Sequence, residues 1–300
     1  MTGMAAATTP AVLVEAFTER PCSGNGAAVV LLQRPASDAW MQQLARSLNQ
    51  SETAFLLQGD QGWRLRWFTP SCEVPLCGHA TLAALLALKH WQLLDDSGST
   101  TLWSRSGPLP VAINATQGQL QLPSAPLQVE PMPEDLGGLL QRRWGAVAEG
   151  FWRSSLGYSV VLLPAAVPLA ELPSLASELP EPEANGLVVM QAGAAGACVD
   201  GQAADYQLRF FAPGLGIAED PVTGSAHALV APFWLQRLGQ PRVIGWQCSP
   251  RPGGMACEAA SSGMIRLSGS GVLLWSGDLH LVPDGSPSAA DCWDQLCVNA

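Results

Sequence analysis

The sequence repeats one pattern of residues in its two halves. Residues 64–70 read RLRWFTP and residues 207–213 read QLRFFAP, so each contains Leu, Arg, an aromatic residue, Phe, a small residue and Pro. A loop follows each motif, and then an apolar segment opens on glycine, at Gly78 in the first half and at Gly224 in the second. Two matched layouts in one chain indicate a duplication, so the sequence predicts two similar domains.

A Pro-rich stretch, LQLPSAPLQVEPMPED, lies between the halves and predicts the domain boundary. We therefore expect one domain over residues 1–122 and another over residues 123–300, with the last strands able to return to the first domain. Most of the remaining sequence consists of alternating or apolar runs bounded by Gly, Pro, Asn and Ser, which are typical of short strands and turns. The helices that the pattern predicts are 36–48, 79–92, 133–145 and 225–238.

The helix predicted over 79–92 is apolar on almost every side. Residues 80–88 are all Ala, Leu or Thr. A helix that is apolar all round must be buried all round, and a sheet curled around one central helix would bury it. The sequence therefore predicts an α+β fold in which two such units present the starts of their helices to one cleft.

Composition excludes several classes of function. The 300 residues carry a formal net charge of −10, and their 15 Lys and Arg residues are scattered. An acidic surface repels phosphate backbones, so we expect no nucleic-acid partner. No apolar run approaches the ~20 residues that a membrane span needs, and the N-terminus lacks the basic start of a signal peptide. We therefore expect no membrane partner and a cytoplasmic location.

The sequence also gives no sign of a cofactor or a metal. None of the eight Cys residues forms a CxxC pair, and the four His residues are not at ligand spacings beside them, so no metal site is predicted. Lys89 is the single lysine and lies in the apolar helix, which makes it a poor Schiff-base residue for pyridoxal phosphate. No GxGxxG motif follows a strand, so a dinucleotide site is unsupported.

The starts of the two repeated helices are candidate binding sites. A helix N-terminus carries free N–H groups and about half a positive charge, so it attracts an anion such as a carboxylate. Gly78 and Gly224 would let a ligand approach the backbone closely, and Ser225 would add a hydroxyl donor. The alternative interpretation is that Gly and Ser simply begin these helices.

Three titratable residues are candidates for catalysis. His79 follows Gly78, and we expect the helix dipole to lower its pKa and keep it neutral. Glu52 begins an apolar strand, and partial burial would raise its pKa towards that of a general base. Asp220 precedes Pro221, which holds it extended in the loop before the helix, where it could orient His79 or move a proton. Structural roles for His79 and Glu52 remain open.

Four motifs closely resemble those of the phenazine-biosynthesis PhzF-like proteins. The likeness extends from about Val12 to about Leu281, with the motifs in family order. It implies a diaminopimelate-epimerase-like fold of two pseudo-symmetric domains, each a curled antiparallel sheet around a central helix, with the active site between them. The motifs are FTERPCSGNGAAVVLL, NQSETAFLL, RWFTPSCEVPLCGHATLAA and RFFAPGLGIAEDPVTGSAHALVAPFW.

The resemblance also implies a function. The characterised activity of the family is a cofactor-free isomerisation of a dihydro-hydroxyanthranilate by proton transfer between carbons, and the proteins are commonly homodimers. By motif match, Glu52 would carry the proton while His79 and Asp220 assist and hold polar groups. The residues expected to bind the small carboxylate substrate are Ser51, Gly78, Thr223, Gly224 and Ser225.

Two other functions remain as alternatives. Related epimerases and racemases use one thiol at each helix start as opposing acid and base. Here Cys77 stands at one start and Thr223 at the other, and an unassisted hydroxyl is a poor base, so an amino-acid or imino-acid epimerase is less favoured. Cys77 is then expected to be a relic or a packing residue rather than a catalytic base. The third hypothesis is a module that binds a small acid or a protein without turnover.

Overall fold

The computed structural model describes residues 8–95, 98–114, 117–193, 196–261, 263–285 and 287–297. The helices are α1 (Asp38–Leu48), α2 (Gly78–His90), α3 (Glu134–Trp144), α4 (Gly224–Leu238) and α5 (Pro287–Asp294). Short 3-10 turns cover Leu169–Glu171, Ala176–Glu178, Glu183–Asn185, Pro213–Leu215 and Gln295–Cys297. The strands in chain order are β1 (Thr9–Ala16), β2 (Asn25–Leu32), β3 (Glu52–Gly59), β4 (Gly62–Phe68), β5 (Glu73–Val74), β6 (Ser99–Ser104), β7 (Gly107–Asn114), β8 (Gln117–Pro123), β9 (Gln128–Val129), β10 (Gly150–Arg153), β11 (Ser159–Leu162), β12 (Leu187–Ala192), β13 (Cys198–Val199), β14 (Gln202–Ala203), β15 (Tyr206–Ala212), β16 (Ile217–Asp220), β17 (Arg242–Gln247), β18 (Gly253–Ala259), β19 (Met264–Gly269) and β20 (Gly271–Leu279).

The chain forms two compact units. Unit 1 consists of Met1–Ala16, Gly26–Gln121 and Ser270–Ala300, and unit 2 consists of Phe17–Asn25 and Leu122–Gly269. The chain passes from unit 1 to unit 2 between Gln121 and Leu122, and two further segments cross between the units, of which the sequence analysis allowed for the C-terminal one. A short N-terminal segment belongs to unit 2, and the C-terminal segment belongs to unit 1.

The strands of unit 1 follow the order β20, β1, β2, β3, β4, β6, β7, β8, and β5 adds to β4. The pairs β2–β3 and β4–β6 are parallel, whereas β3–β4, β6–β7 and β7–β8 are antiparallel. Parallel neighbours need a crossover connection. Helix α1 provides it between β2 and β3, and helix α2 provides it between β4 and β6.

Unit 2 has the same topology. Its order is β9, β10, β11, β12, β15, β17, β18, β19, and β16 adds to β15. The parallel pairs are β11–β12 and β15–β17, and helix α4 forms the second crossover. The α+β fold class and the duplication are confirmed. The sheets are mixed, because each repeated helix crosses over to a strand that runs parallel to the one before it.

Each repeated helix is buried as predicted. In α2, the side chains from His79 to Leu85 are buried, together with Ala87 and Leu88, and the helix packs on β1, β3, β7 and β20. Helix α4 packs on β17, β18 and β19. The apolar sequence of α2 and of the first two turns of α4 accounts for this burial, whereas the last turn of α4 is exposed. Within the described ranges, none of the helices is both long enough and apolar enough to cross a bilayer.

The surface helix α1 begins as the sequence indicates. Ser37 is its N-cap, and the Ser37 hydroxyl accepts a hydrogen bond of 3.2 Å from the backbone N–H of Trp40. Such a cap satisfies one of the backbone donors that the first turn leaves without a helical partner. The buried face of α1 consists of Met41, Leu44 and Ala45, which pack with Phe55 of β3 in one hydrophobic cluster.

Candidate active site

A buried ion pair anchors the loop that leads into α2. The guanidinium of Arg66 donates to both carboxylate oxygens of Glu73 at 2.7 Å, and the Arg66 side chain has no exposed surface. The same guanidinium lies 5.3 Å from the centre of the Phe68 ring. A bidentate pair of this kind fixes both partners in geometry. Because Glu73 precedes Gly78 by only five residues, the pair holds the start of α2 against β4.

Unit 2 contains a matching ion pair between an arginine and a glutamate. Arg209 donates to both carboxylate oxygens of Glu219 at 2.7 Å and lies 5.0 Å from the centre of the Phe211 ring. Glu219 also precedes its helix glycine, Gly224, by five residues. The extra residues of the second loop form the turn Pro213–Leu215, which lies before the glutamate. The segments EVPLCGHAT and EDPVTGSAH therefore match residue for residue, with Cys77 opposite Thr223.

Glu52 and His79 form a close, buried pair in unit 1. Glu52 is the first residue of β3, and His79 is the second residue of α2. Their Oε2 and Nε2 atoms are 2.9 Å apart, and the two residues are 8% and 5% exposed. The distance supports an ion pair, although Glu52 Oε2 receives no well-directed hydrogen bond from the described residues. The structure thus brings together two of the three predicted catalytic residues.

The electrostatics of this pair correct two expectations from the sequence. Burial raises the pKa of Glu52, but the His79 charge and hydrogen bonds from His79 and Cys77 outweigh it, so the pKa lies below its usual value. Burial lowers the pKa of His79, but interactions with Cys77 and Glu52 raise it well above the usual value. The raised pKa of Glu52 and the neutral His79 expected from the sequence were therefore wrong in direction. The site at rest is a carboxylate beside an imidazolium.

Cys77 belongs to the same cluster. Its Sγ atom lies 3.4 Å from Nδ1 and 4.0 Å from Nε2 of His79. Burial raises the pKa of the thiol and the Glu52 charge raises it further, so Cys77 is a neutral thiol at rest. The sequence predicted a packing residue, and the structure adds a polar contact. One ligand atom each of Glu52, Cys77 and His79 lies within 4.8 Å of the others, which would suit a metal ion.

Asp220 lies in unit 2, at the end of β16. The amide of Asn25 donates to its Oδ1 atom at 2.8 Å, and the Thr223 hydroxyl donates to its Oδ2 atom at 2.5 Å. Asp220 is 8% exposed, so these donors stabilise a carboxylate that burial would otherwise penalise. The predicted position of Asp220 before the helix is correct.

Gln247 holds this loop in place. It is fully buried, its Oε1 atom accepts from the Thr223 backbone N–H at 2.7 Å, and its Nε2 atom donates to the Asp220 carbonyl at 2.7 Å. Its Nε2 atom also lies 3.2 Å from the Thr223 hydroxyl oxygen. Both ends of the amide are used, so the side chain has one orientation. The sequence analysis missed Gln247 and Asn25, since neither stands near Asp220 in the chain.

The predicted binding residues have the following places. Gly78 and Gly224 are the first residues of α2 and α4, and neither N-cap residue, Cys77 or Thr223, makes a side-chain cap hydrogen bond. Ser225 lies with its hydroxyl oxygen 3.2 Å from that of Tyr158, a residue that the sequence analysis missed. The remaining predicted residue, Ser51, donates its hydroxyl to the Gly26 carbonyl at 3.0 Å.

Comparison with known proteins identifies the family. The family model described as phenazine biosynthesis-like protein matches residues 14–277. The chain belongs to the phenazine biosynthesis-like family. It is 36% identical over 271 residues to an "uncharacterized isomerase" of Pseudomonas aeruginosa, with 89% of this chain and 97% of that protein covered. The resemblance of the four motifs is thereby confirmed.

Solved structures agree with this assignment. A phenazine biosynthesis protein of the PhzF family from Enterococcus faecalis matches with a TM-score of 0.81 and 31% identity, covering 92% of this chain and 100% of that one. A probable proline racemase from Agrobacterium radiobacter matches with a TM-score of 0.57 and 12% identity, covering 98% and 100%. The second likeness concerns the fold alone. Together they confirm the epimerase-like fold, and the phenazine biosynthesis-like family is one of isomerases and epimerases.

Proposed function

We propose that this member of the phenazine biosynthesis-like family is a cofactor-independent isomerase of a small metabolite that bears a carboxylate. Glu52 is the proton carrier. The observation that supports this role is the position of Glu52 Oε2, 2.9 Å from His79 Nε2, in a buried site where the carboxylate is ionised. An ionised carboxylate can accept a proton from carbon only if its environment then stabilises the anion that remains.

The proposed reaction has two proton transfers. Glu52 takes a proton from one carbon of the substrate, and the electron pair of the broken C–H bond stays on the substrate as a delocalised anion. Glu52 is then neutral, so the positive charge of His79 stabilises the substrate anion instead of the carboxylate. The proton on Glu52 exchanges with solvent, and Glu52 then delivers a proton to a different carbon. No electrons are gained or lost, so the step needs no redox partner.

The proposed binding residues are Ser51, Gly78, Thr223, Gly224 and Ser225. The donors for a carboxylate come from the helix starts at Gly78 and Gly224, whose N-cap side chains do not occupy the backbone donors, and from Ser225. The hydroxyls of Ser51 and Thr223 already donate to Gly26 and Asp220 and would hold the surrounding backbone in place. A helix start favours a negative charge through its free N–H groups and its dipole. Asp220 would hold a polar group of the substrate. The homodimer that the resemblance implies remains a prediction.

An epimerase of amino or imino acids is the second candidate, and one contact disfavours it. A two-thiol mechanism needs a second acid or base in the place of Thr223, which matches Cys77 in the repeat. The Thr223 hydroxyl donates a hydrogen bond of 2.5 Å to the Asp220 carboxylate, and this contact holds the hydroxyl within the loop. A hydroxyl held in this way is a weak replacement for a thiolate.

The test is deuterium uptake from solvent by a panel of small carboxylic acids, followed by NMR. The panel contains trans-2,3-dihydro-3-hydroxyanthranilate together with amino and imino acids of one configuration. The proposal predicts deuterium at a carbon accompanied by a shifted double bond. Loss of optical rotation without a shifted double bond would establish an epimerase instead. Binding without any deuterium uptake across the panel would show a module that does not turn over its ligand.

A further inference from the structure

We propose that Glu52, Cys77 and His79 together bind one Zn²⁺ ion, with the fourth coordination position open. The three side chains offer a carboxylate oxygen, a sulfur and an imidazole nitrogen, all within 4.8 Å of one another. Oxygen, nitrogen and sulfur are the ligands that zinc takes in proteins, and three protein ligands with one open position are typical of reactive zinc sites. This inference goes beyond the proposed isomerase and does not depend on it.

The distances fit a tetrahedral ion. Zinc bonds of about 2.3 Å to sulfur and about 2.0 Å to nitrogen and oxygen place neighbouring ligand atoms about 3.3–3.6 Å apart. In the structure, Nε2 of His79 lies 2.9 Å from Oε2 of Glu52 and 4.0 Å from Sγ of Cys77. One distance is slightly short and the other slightly long, so a small rotation of the His79 ring brings both into range.

The surroundings suit a divalent cation. Zinc would displace one proton from the Cys77 thiol and one from the His79 imidazolium, and the carboxylate and thiolate then balance the two charges of the ion. The three residues are each less than one-tenth exposed. Glu52 Oε2 receives no well-directed hydrogen bond from the described residues, so a lone pair remains for the ion. The mixed ligands select zinc over Mg²⁺ or Ca²⁺, which prefer oxygen.

The ligands also stand on ordered elements. Glu52 begins β3, His79 lies in the first turn of α2, and Cys77 is the N-cap of that helix. The Arg66–Glu73 ion pair anchors the preceding loop. Ligands held in position before the ion arrives lose little conformational entropy on binding it. Occupation by zinc would bond the oxygen of Glu52 that the proposed proton transfer uses, so bound zinc is expected to inhibit turnover.

Binding is measured on tag-free protein that has been treated with a chelator and then desalted. Isothermal titration calorimetry with Zn²⁺ gives the stoichiometry, and Co²⁺ reports its ligands through the thiolate-to-metal absorption band. Exposed thiols can bind metals independently of the proposed site. The protein used as the reference, called the parent, therefore carries Cys22→Ser, Cys72→Ser and Cys198→Ser. We expect one tight ion per chain and a thiolate band with Co²⁺. Neither measurement depends on turnover, so a protein that binds no zinc would not count against the proposed isomerase activity.

Two substitutions in this parent identify the site. Cys77→Ser should abolish the thiolate band and weaken zinc binding by at least about 100-fold, since loss of a direct ligand exceeds the 10–100-fold effect of an outer partner. Glu52→Gln should also weaken binding and keep the band. Cys248→Ser, at a buried thiol in unit 2, is the matched control and should change neither. The proposal is overturned if the parent binds no zinc, or if Cys77→Ser and Glu52→Gln both bind as the parent does.

Discussion

His79 Nε2 lies 2.9 Å from Glu52 Oε2, and this contact joins the first turn of α2 to the first residue of β3. Both residues are more than nine-tenths buried. In such a place neither charge would persist without the other, because burial disfavours each charged form. The pair therefore places a carboxylate and its counter-ion in one site, which is the arrangement that the proposed proton transfer uses.

Replacing His79 tests the electrostatic part of this account. In His79→Asn the counter-charge is lost, and burial then raises the pKa of Glu52, which His79 and Cys77 otherwise hold below its usual value. Glu52 must be ionised to accept a proton. Turnover should therefore decrease, and its acid limb should move to higher pH. The measurement is deuterium uptake against pH, with chelator present.

The control for this change is His90→Gln, at the exposed end of the same helix. It should leave the pH profile in place. An acid limb at the same pH in His79→Asn and in the wild type would mean that His79 does not set the protonation of Glu52.

The repeated ion pairs should be strongly stabilising. Arg66→Met removes the bidentate partner of Glu73, and although Arg105 still lies 2.8 Å from Glu73, the loss should approach the cost of breaking a buried pair, about 3–5 kcal/mol. Urea unfolding followed by circular dichroism measures the loss in the free energy of unfolding. Arg209→Met, which strands Glu219, should cost a similar amount.

The corresponding double variants separate the two causes of that loss. Arg209→Met with Glu219→Gln removes the stranded charge and should recover part of the stability. Arg66→Met with Glu73→Gln should recover less, because Arg105 still pairs with Glu73 in the single variant. If the double variant is as unstable as the sum of the single ones, the pair does not interact as the structure indicates.

Gln247 should matter for the stability of unit 2. Gln247→Leu leaves the Thr223 N–H and the Asp220 carbonyl without the partners they have in the structure. Each buried group without a partner costs about 1–3 kcal/mol, so the free energy of unfolding should decrease by several kcal/mol. Gln236→Leu, on the exposed side of α4, is the control and should change it little. Equal stability of Gln247→Leu and the control would contradict the role of Gln247.

A buried histidine outside the site predicts how stability depends on pH. His227 is fully buried, accepts or donates a 2.8 Å hydrogen bond with the Tyr206 hydroxyl, and burial lowers its pKa to about 3. In the unfolded chain this residue takes up a proton below about pH 6.5, whereas in the folded chain it stays neutral. The free energy of unfolding should therefore fall between about pH 6.5 and pH 3, by up to about 1.4 kcal/mol per pH unit from this residue.

Comparison with His227→Gln isolates that contribution, because the carboxylates titrate alike in both proteins. The variant should be less stable at pH 7 and should lose less stability on acidification. Parallel pH curves for the two proteins would show that His227 titrates normally in the fold.

The two-unit arrangement of strands and buried helices could be predicted from the sequence because it depends on local sequence patterns. The apolar residues 80–88 require a buried helix, and the RLRWFTP and QLRFFAP motifs place matching strands before Gly78 and Gly224. The sequence indicates Glu52 and His79 separately, each from its own segment and its family motif. Their contact is a property of the fold, because β3 and α2 are joined only through β4 and a loop.

Other features depend on distances that no local pattern reveals. Gln247 reaches Asp220 and Thr223 from the end of β17, and Cys77 meets Glu52 across 25 residues of chain. The charge states of Glu52 and His79 follow from their contact, so reasoning on each alone gave the wrong direction. The parallel strand pairs follow from crossovers by α2 and α4.

The most direct test of the central claim is deuterium incorporation from D₂O into trans-2,3-dihydro-3-hydroxyanthranilate by the wild type and by Glu52→Gln. The matched control is Glu178→Gln, at an exposed glutamate paired with Arg143. The account predicts isomerised, deuterated product with the wild type and the control, and none with Glu52→Gln. Equal conversion by Glu52→Gln and the wild type would contradict the assignment of Glu52 as the proton carrier.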